Sequence, residues 1–195
     1  MIKITKYDVG HISFLLGIKT SCDIFGNDLA KGNLVRIAEE LASAVTDDLD
    51  FASIEEFAKS CEAGENPIAH FEGEIVYEDG VFRVPRCPFA KAIASFSEVI
   101  GAMPECYGDI TEAFNKEAGG TAVSPFCLVH QTFRQLAGEK VKINGKEVQV
   151  LQLGCKSSSG KSAISDEHAE KAGVSRKDIE NILSSVACVY SIKED

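Results

Sequence analysis

No stretch of this chain approaches the roughly 20 consecutive apolar residues that a bilayer-crossing helix needs. The opening residues, MIKITKYDVGHISF, also lack the charged, then apolar, then small-residue order of a secretory leader. Neither a membrane protein nor a secreted one is expected, and the expected location is cytoplasmic. Positive charge is in deficit: 20 Lys and Arg stand against 30 Asp and Glu, a net charge of −10. Such a surface repels phosphate backbones and anionic lipid, so nucleic acid and membrane are not expected partners. Cys-x-x-Cys pairs are absent as well. The seven cysteines are odd in number and scattered, unlike the dense framework that staples small secreted domains. They are expected to act as thiols, metal ligands or nucleophiles. No internal repeat, nucleophile elbow or Ser-His-Asp order occurs.

The 195 residues, 45% of them hydrophobic, suffice for one core, and a single α+β domain over 1–195 is expected. Ile2 and Ile4 alternate and ISFLLGI follows from 12 to 18, which reads as strand. From Leu29 to Val45 the apolar positions Leu34, Ile37, Ala38, Leu41 and Val45 recur at helical spacing. Ser53 and Glu56 have capping-box spacing before a short helix that places Cys61 in the core. Two hairpins stand out: 74 to 84 turns at Asp79-Gly80, and 141 to 153 turns at Asn144-Gly145. Between them, helices are predicted over 88–100, about 105–117, and 125–137. Two hairpins flanking a group of helices make the α+β class. After a Ser/Gly/Lys-rich loop come helical patterns at 166–172 and 176–184, an αα-corner, and an apolar tail, ACVYSI, that reads as an edge strand.

The chemistry concentrates between the hairpins. Proline favours the first position of a helix, so Cys87 before Pro88 falls at an N-cap, and Ser124-Pro125 puts Cys127 in another first turn. The positive end of a helix dipole lowers a thiol's pKa, which makes Cys87 and Cys127 candidate nucleophiles. His130 and Arg134 follow Cys127 at three and then four residues, on one stripe of the same helix. Cys106, just after Pro104-Glu105, faces inward with Ile110. Cys87, Cys106, Cys127 and His130 form a chemically complete set for tetrahedral zinc, and an iron-sulfur cluster is the other cofactor considered. Cys106, Arg134 and Lys161 are candidate ligand-binding residues, Arg134 because its guanidinium holds a carboxylate through two parallel hydrogen bonds.

The stretch from 87 to 127, with Cys87-Pro88, Pro104-Glu105-Cys106, Asp109 and the closing Cys127, distantly resembles the L-2-amino-thiazoline-4-carboxylic acid hydrolase-like family and the related vinyl-reductase-like small-molecule-binding domains. The resemblance implies an α+β domain enclosing a small ligand, with cysteines at or near the pocket. Two rival motifs are weaker. GCKSSSGKS, from 154 to 162, has one residue too many between its glycines for a phosphate-binding P-loop. Residues 166–184 have the look of a helix-turn-helix, but SRKDIENIL carries as many acids as bases. The expectation is a small-molecule or metal-binding protein with a cysteine-lined site and an anionic ligand, with homo-oligomer formation left open. A thiol-dependent hydrolase acting on a small anionic substrate is the first alternative, and a transcriptional regulator using 166–184 the second.

Overall fold

The computed structural model describes residues 6–44, 49–66, 75–156, 160 and 162–194. The chain runs α1 (Lys6–Phe25), α2 (Asn27–Ser43), β1 (Leu49–Phe51), α3 (Ile54–Glu62), β2 (Val76–Glu78), β3 (Val81–Val84), α4 (Pro88–Val99), α5 (Glu105–Ala118), α6 (Pro125–Gly138), β4 (Val141–Ile143), β5 (Lys146–Lys156), β6 (Ser162–Ile164), α7 (Asp166–Ala172), α8 (Arg176–Leu183) and β7 (Cys188–Glu194). The α+β class is as expected. The strands form one sheet in the order β1-β4-β5-β7-β3-β2, with β6 on β5. Among the described residues only β1 and β4 pair in parallel.

Local chemistry sets both hairpin turns. Asp79 and Gly80 have φ of 54° and 76°, and Asn144 and Gly145 have 53° and 73°. Positive φ at both central residues is what a two-residue turn between twisted strands requires, and Asp-Gly and Asn-Gly tolerate it best. Ser53 accepts a hydrogen bond from the Glu56 amide at the start of α3, and Glu56 Oε2 accepts one from Ala52 N at 2.6 Å.

Three expectations need correction. The run from 12 to 18 is helix within α1, not strand; residues 1–5, which hold the alternating Ile2 and Ile4, lie outside the described residues. A short apolar run carries both periodicities, and here Ile12, Leu15 and Ile18, three apart, are the buried positions. They pack against α2 and α4. In α2 the inward row is Ala30, Leu34, Ala38 and Ala42, while Ile37 and Leu41 are 41% and 51% exposed. A ridge of residues four apart, three of them alanine, lets α2 lie against α6. Val45 lies outside the described residues. Finally, β7 is no edge strand, because it sits between β5 and β3. Residues 188–192 are all buried, as a strand covered on both faces must be.

Two helical layers cover the sheet. On one face α6 spans between cores: Phe126, Leu128 and Val129 join the residues of α1, α2, α4 and α5, and Ala137 joins the sheet residues Val148, Val150 and Tyr190. On the other face α7 and α8 bring Ala169, Ile179 and Leu183 onto Leu151, Leu153 and Val189. Among the described residues no helix is long and apolar enough to cross a membrane.

One irregularity positions the site. In the β5–β7 ladder Gln152 faces Tyr190 but Gly154 faces Val189, so Leu153 is an extra residue in β5. In a regular strand Gln152 and Cys155, three residues apart, would point to opposite faces, because side chains alternate. The bulge returns Cys155 to the side of Gln152, Tyr190 and Cys188, facing α6. Gly154 is turned toward α8, where a Cβ would stand 2.8 Å from Leu183 Cδ1 and 3.2 Å from the Ala163 carbonyl oxygen. Gly154→Ala is therefore expected to lower the unfolding free energy by about 1–3 kcal/mol, the usual cost of overpacking. Urea denaturation of the variant beside the unaltered protein measures it.

Candidate functional site

The site lies where the first two turns of α6 face the bulged segment of β5 and the start of β7. Ser124 caps α6, accepting from the Cys127 amide at 3.4 Å, and its hydroxyl lies 3.3 Å from Cys127 Sγ. One turn on is His130, and one further is Arg134. From the sheet come Gln152, Cys155 and Cys188, and from the start of α4 come Cys87 and Phe89. All of these but Ser124 line one cavity of about 30 Å³, room for about two waters.

Gln152 organises the polar side of the wall. Its Oε1 accepts from Arg134 Nη1 at 3.1 Å. Its Nε2 reaches Cys188 Sγ at 2.7 Å and Cys155 Sγ at 3.4 Å. Arg134 is only 2% exposed, and its guanidinium carbon lies 4.7 Å from the centre of the Tyr190 ring. Cys155 and Cys188 are directly opposite in the ladder. The Lys156 amide bonds to the Ala187 carbonyl, which makes them a non-hydrogen-bonded pair, the kind whose side chains come closest. Their sulfurs are 2.9 Å apart.

The thiols differ in acidity according to what touches them. Cys127 is lowered to about 6, chiefly by the thiol hydrogen bond from Cys155, with the Ser124 hydroxyl assisting and burial opposing. Cys188 is also lowered, by the Cys155 thiol first and by the Arg134 charge and Gln152 amide besides. Cys155 moves the other way, raised by those same two hydrogen bonds. Cys155 is therefore the hardest of the three to ionise. His130 is pushed down to about 3 by burial and by Arg134, so its imidazole stays neutral.

Of the residues singled out from sequence, Cys87, Cys127, His130 and Arg134 do meet at this cavity. The surroundings of Cys87 nevertheless do not favour a thiolate. It is the N-cap of α4 but makes no capping bond, and burial, then the nearby Cys127, push its thiol up to about 12. Desolvation outweighs the helix dipole there. Cys106 does not join the others: it packs in the helical layer and hydrogen-bonds Cys22, whose own thiol burial and this bond raise to about 12. The set of Cys87, Cys106, Cys127 and His130 is thus not assembled, and among the described residues no three His, Cys, Asp or Glu side chains are placed to hold a metal ion. Lys161 lies outside the described residues. Cys61 is core as expected, its thiol raised to about 12 by burial. In the C-terminal corner Arg176 of α8 is paired with Asp166 and Glu180.

Sequence reasoning passed over Gln152, Cys155 and Cys188. They carry no local signal, being brought together by a bulge and by pairing across 33 residues of chain. Comparison with family models, with curated proteins and with solved structures returned no match.

One ionisation near pH 6 follows for Cys127. The ultraviolet absorbance of thiolate is expected to rise through that pH in the folded protein. Cys127→Ser should remove that step, and Cys155→Ala, which deletes the hydrogen-bond donor, should move it toward the ordinary thiol value near 9.

Proposed function

We propose that this chain is a small-molecule-binding protein whose binding place is the cavity between α6 and the β5–β7 strands, and whose ligand presents a small anionic group to Arg134 and Gln152. The observation that carries this reading is the burial of Arg134, 2% exposed, in the wall of a cavity of about 30 Å³. Guanidinium and amide together offer donors of the kind that hold a carboxylate, and a space for about two waters accepts a carboxylate's two oxygens. Cys87 and Cys127, two of the three cysteines that carry the distant family resemblance, line this cavity and support the reading.

The thiols give the reading a proton linkage. Cys127, whose thiol is lowered to about 6, lines the same cavity as Arg134. An incoming anion meets the Cys127 thiolate there, and like charges in one small cavity repel, so the thiolate takes up a proton. Binding then tightens as pH falls through the Cys127 value of about 6. The sign is fixed: below that pH the competing negative charge is gone, while the guanidinium remains.

A second reading, a cysteine-dependent hydrolase acting on a small anionic substrate, is favoured by one observation. Cys127 at about 6 and the neutral His130 one turn along α6 are the ionisation states of a nucleophile and a nearby base. The two readings part at Cys127→Ser, which keeps anion binding under the first and abolishes turnover under the second.

Formate and acetate are suitable probes, titrated by calorimetry against chloride at constant ionic strength, about one pH unit above and below 6. The expected result is binding that is tighter at the lower pH and weakened in Arg134→Lys by about 1–3 kcal/mol, the scale of a hydrogen bond to a charged group. Absence of carboxylate binding at both pH values, or equal binding by Arg134→Lys, overturns the reading.

A further inference from the structure

Cys155 and Cys188 stand in a relation that ligand binding does not use. They occupy facing positions in adjacent central strands, and their sulfurs are 2.9 Å apart. That is well inside the van der Waals separation of two sulfurs. Facing residues of a non-hydrogen-bonded antiparallel pair have Cα atoms about 4.5 Å apart, within the range that a disulfide spans. No backbone movement is needed to join them. Both sulfurs also line the cavity, whose volume of about 30 Å³ matches a molecule of two oxygen atoms better than a bulky disulfide or quinone.

We propose that Cys155 and Cys188 form a redox-active dithiol, oxidised by a small hydroperoxide that enters the cavity, with Cys188 as the attacking sulfur and Cys155 as the resolving one. The roles follow from the contacts. Cys188 Sγ receives the Gln152 Nε2 hydrogen bond at 2.7 Å, against 3.4 Å for Cys155. It faces Arg134 besides, and these donors and the positive charge stabilise a thiolate. Its acidity is shifted in the same direction, and that of Cys155 in the opposite one.

In the first step the Cys188 thiolate attacks one oxygen of hydrogen peroxide. An S–O bond forms, the O–O bond breaks, and the departing hydroxide takes the proton of Cys155 to become water. In the second, the Cys155 thiolate attacks the Cys188 sulfenic acid. The S–S bond forms, the S–O bond breaks, and the released hydroxide takes a proton from solvent, matching the one that Cys188 gave up on ionising. Two thiols and one peroxide give one disulfide and two waters. Each sulfur loses one electron, and the peroxide gains two.

The test uses the full chain, reduced and then exposed to hydrogen peroxide at a small molar excess. Free thiols are blocked under denaturing conditions, and the digest is mapped by mass spectrometry without reductant. The expected result is a loss of two hydrogen atoms in the intact mass and one cross-linked peptide pair joining Cys155 to Cys188. In Cys155→Ser the sulfenic acid has no resolving partner, so dimedone should label Cys188 there and not in the unaltered protein. A cross-link through Cys87 or Cys127, oxidation confined to the half-exposed Cys22 and Cys106, or retention of all seven thiols overturns the proposal. Each readout is independent of carboxylate binding, so this inference and the binding reading fail separately.

Discussion

The arrangement that the rest of the site depends on is a buried guanidinium held between a helix and a sheet. Removing an arginine charge from water costs several kcal/mol unless other groups replace the hydration. Here Gln152 Oε1 accepts from Arg134, the Tyr190 ring lies beside the guanidinium, and thiolate character at Cys188 is favoured by the same charge. Each partner is fixed by something else. Tyr190 is set by the β7 register and Gln152 by the bulge at Leu153. The Gln152 carbonyl is in turn 2.9 Å from His168 Nδ1 of α7, so the helical layer on the far face of the sheet holds the bulged strand that presents the site. The C-terminal corner thus acts as a support for the site from behind.

Much of this was legible from sequence, and what was not has a common cause. Asp79-Gly80 and Asn144-Gly145 announce their turns because positive φ is a property of those residues alone. The stripe of Cys127, His130 and Arg134 follows from helical spacing once Ser124-Pro125 fixes where α6 begins. Local information suffices in both cases. The run from 12 to 18 was misread because a short apolar segment does not distinguish strand from helix, and only packing against α2 and α4 decides. The sheet half of the site could not be read at all. Cys155 falls within a stretch that looks like a failed phosphate loop, and Cys188 within a tail that looks like an edge strand. Their meeting depends on a bulge that takes up one residue, so that Cys155, three residues after Gln152, faces the same side.

Cys87 and Cys127 show how far a local argument about acidity extends. Both sit at the start of a helix, and the dipole favours thiolate at each. Cys127 ends near 6 and Cys87 near 12. The difference lies in what else is present: Cys127 has the Cys155 thiol and the Ser124 hydroxyl as donors, whereas Cys87 has amides of its own first turn and a neighbouring negative sulfur. A helix end contributes a few tenths to one kcal/mol at an exposed site, less than the desolvation of a buried thiolate. Specific donors decide the outcome, and those donors come from elsewhere in the chain.

The same accounting explains why the three sulfurs behave as one unit. Serine at these positions would fill nearly the same space and make similar hydrogen bonds, but it would not ionise near neutral pH. Thiols let the negative charge beside Arg134 vary at little structural cost, because Cys155 is held protonated more strongly while Cys127 and Cys188 are shifted toward thiolate. Protonation, a bound anion and a disulfide all change the same quantity, the negative charge facing one guanidinium. A disulfide at Cys155 and Cys188 would remove from Gln152 and Arg134 a neighbouring thiol that they shift toward thiolate. On the reading of Arg134 as an anion-binding residue, the oxidised cavity is then the more electropositive one, and oxidation and anion binding favour each other through the same two side chains.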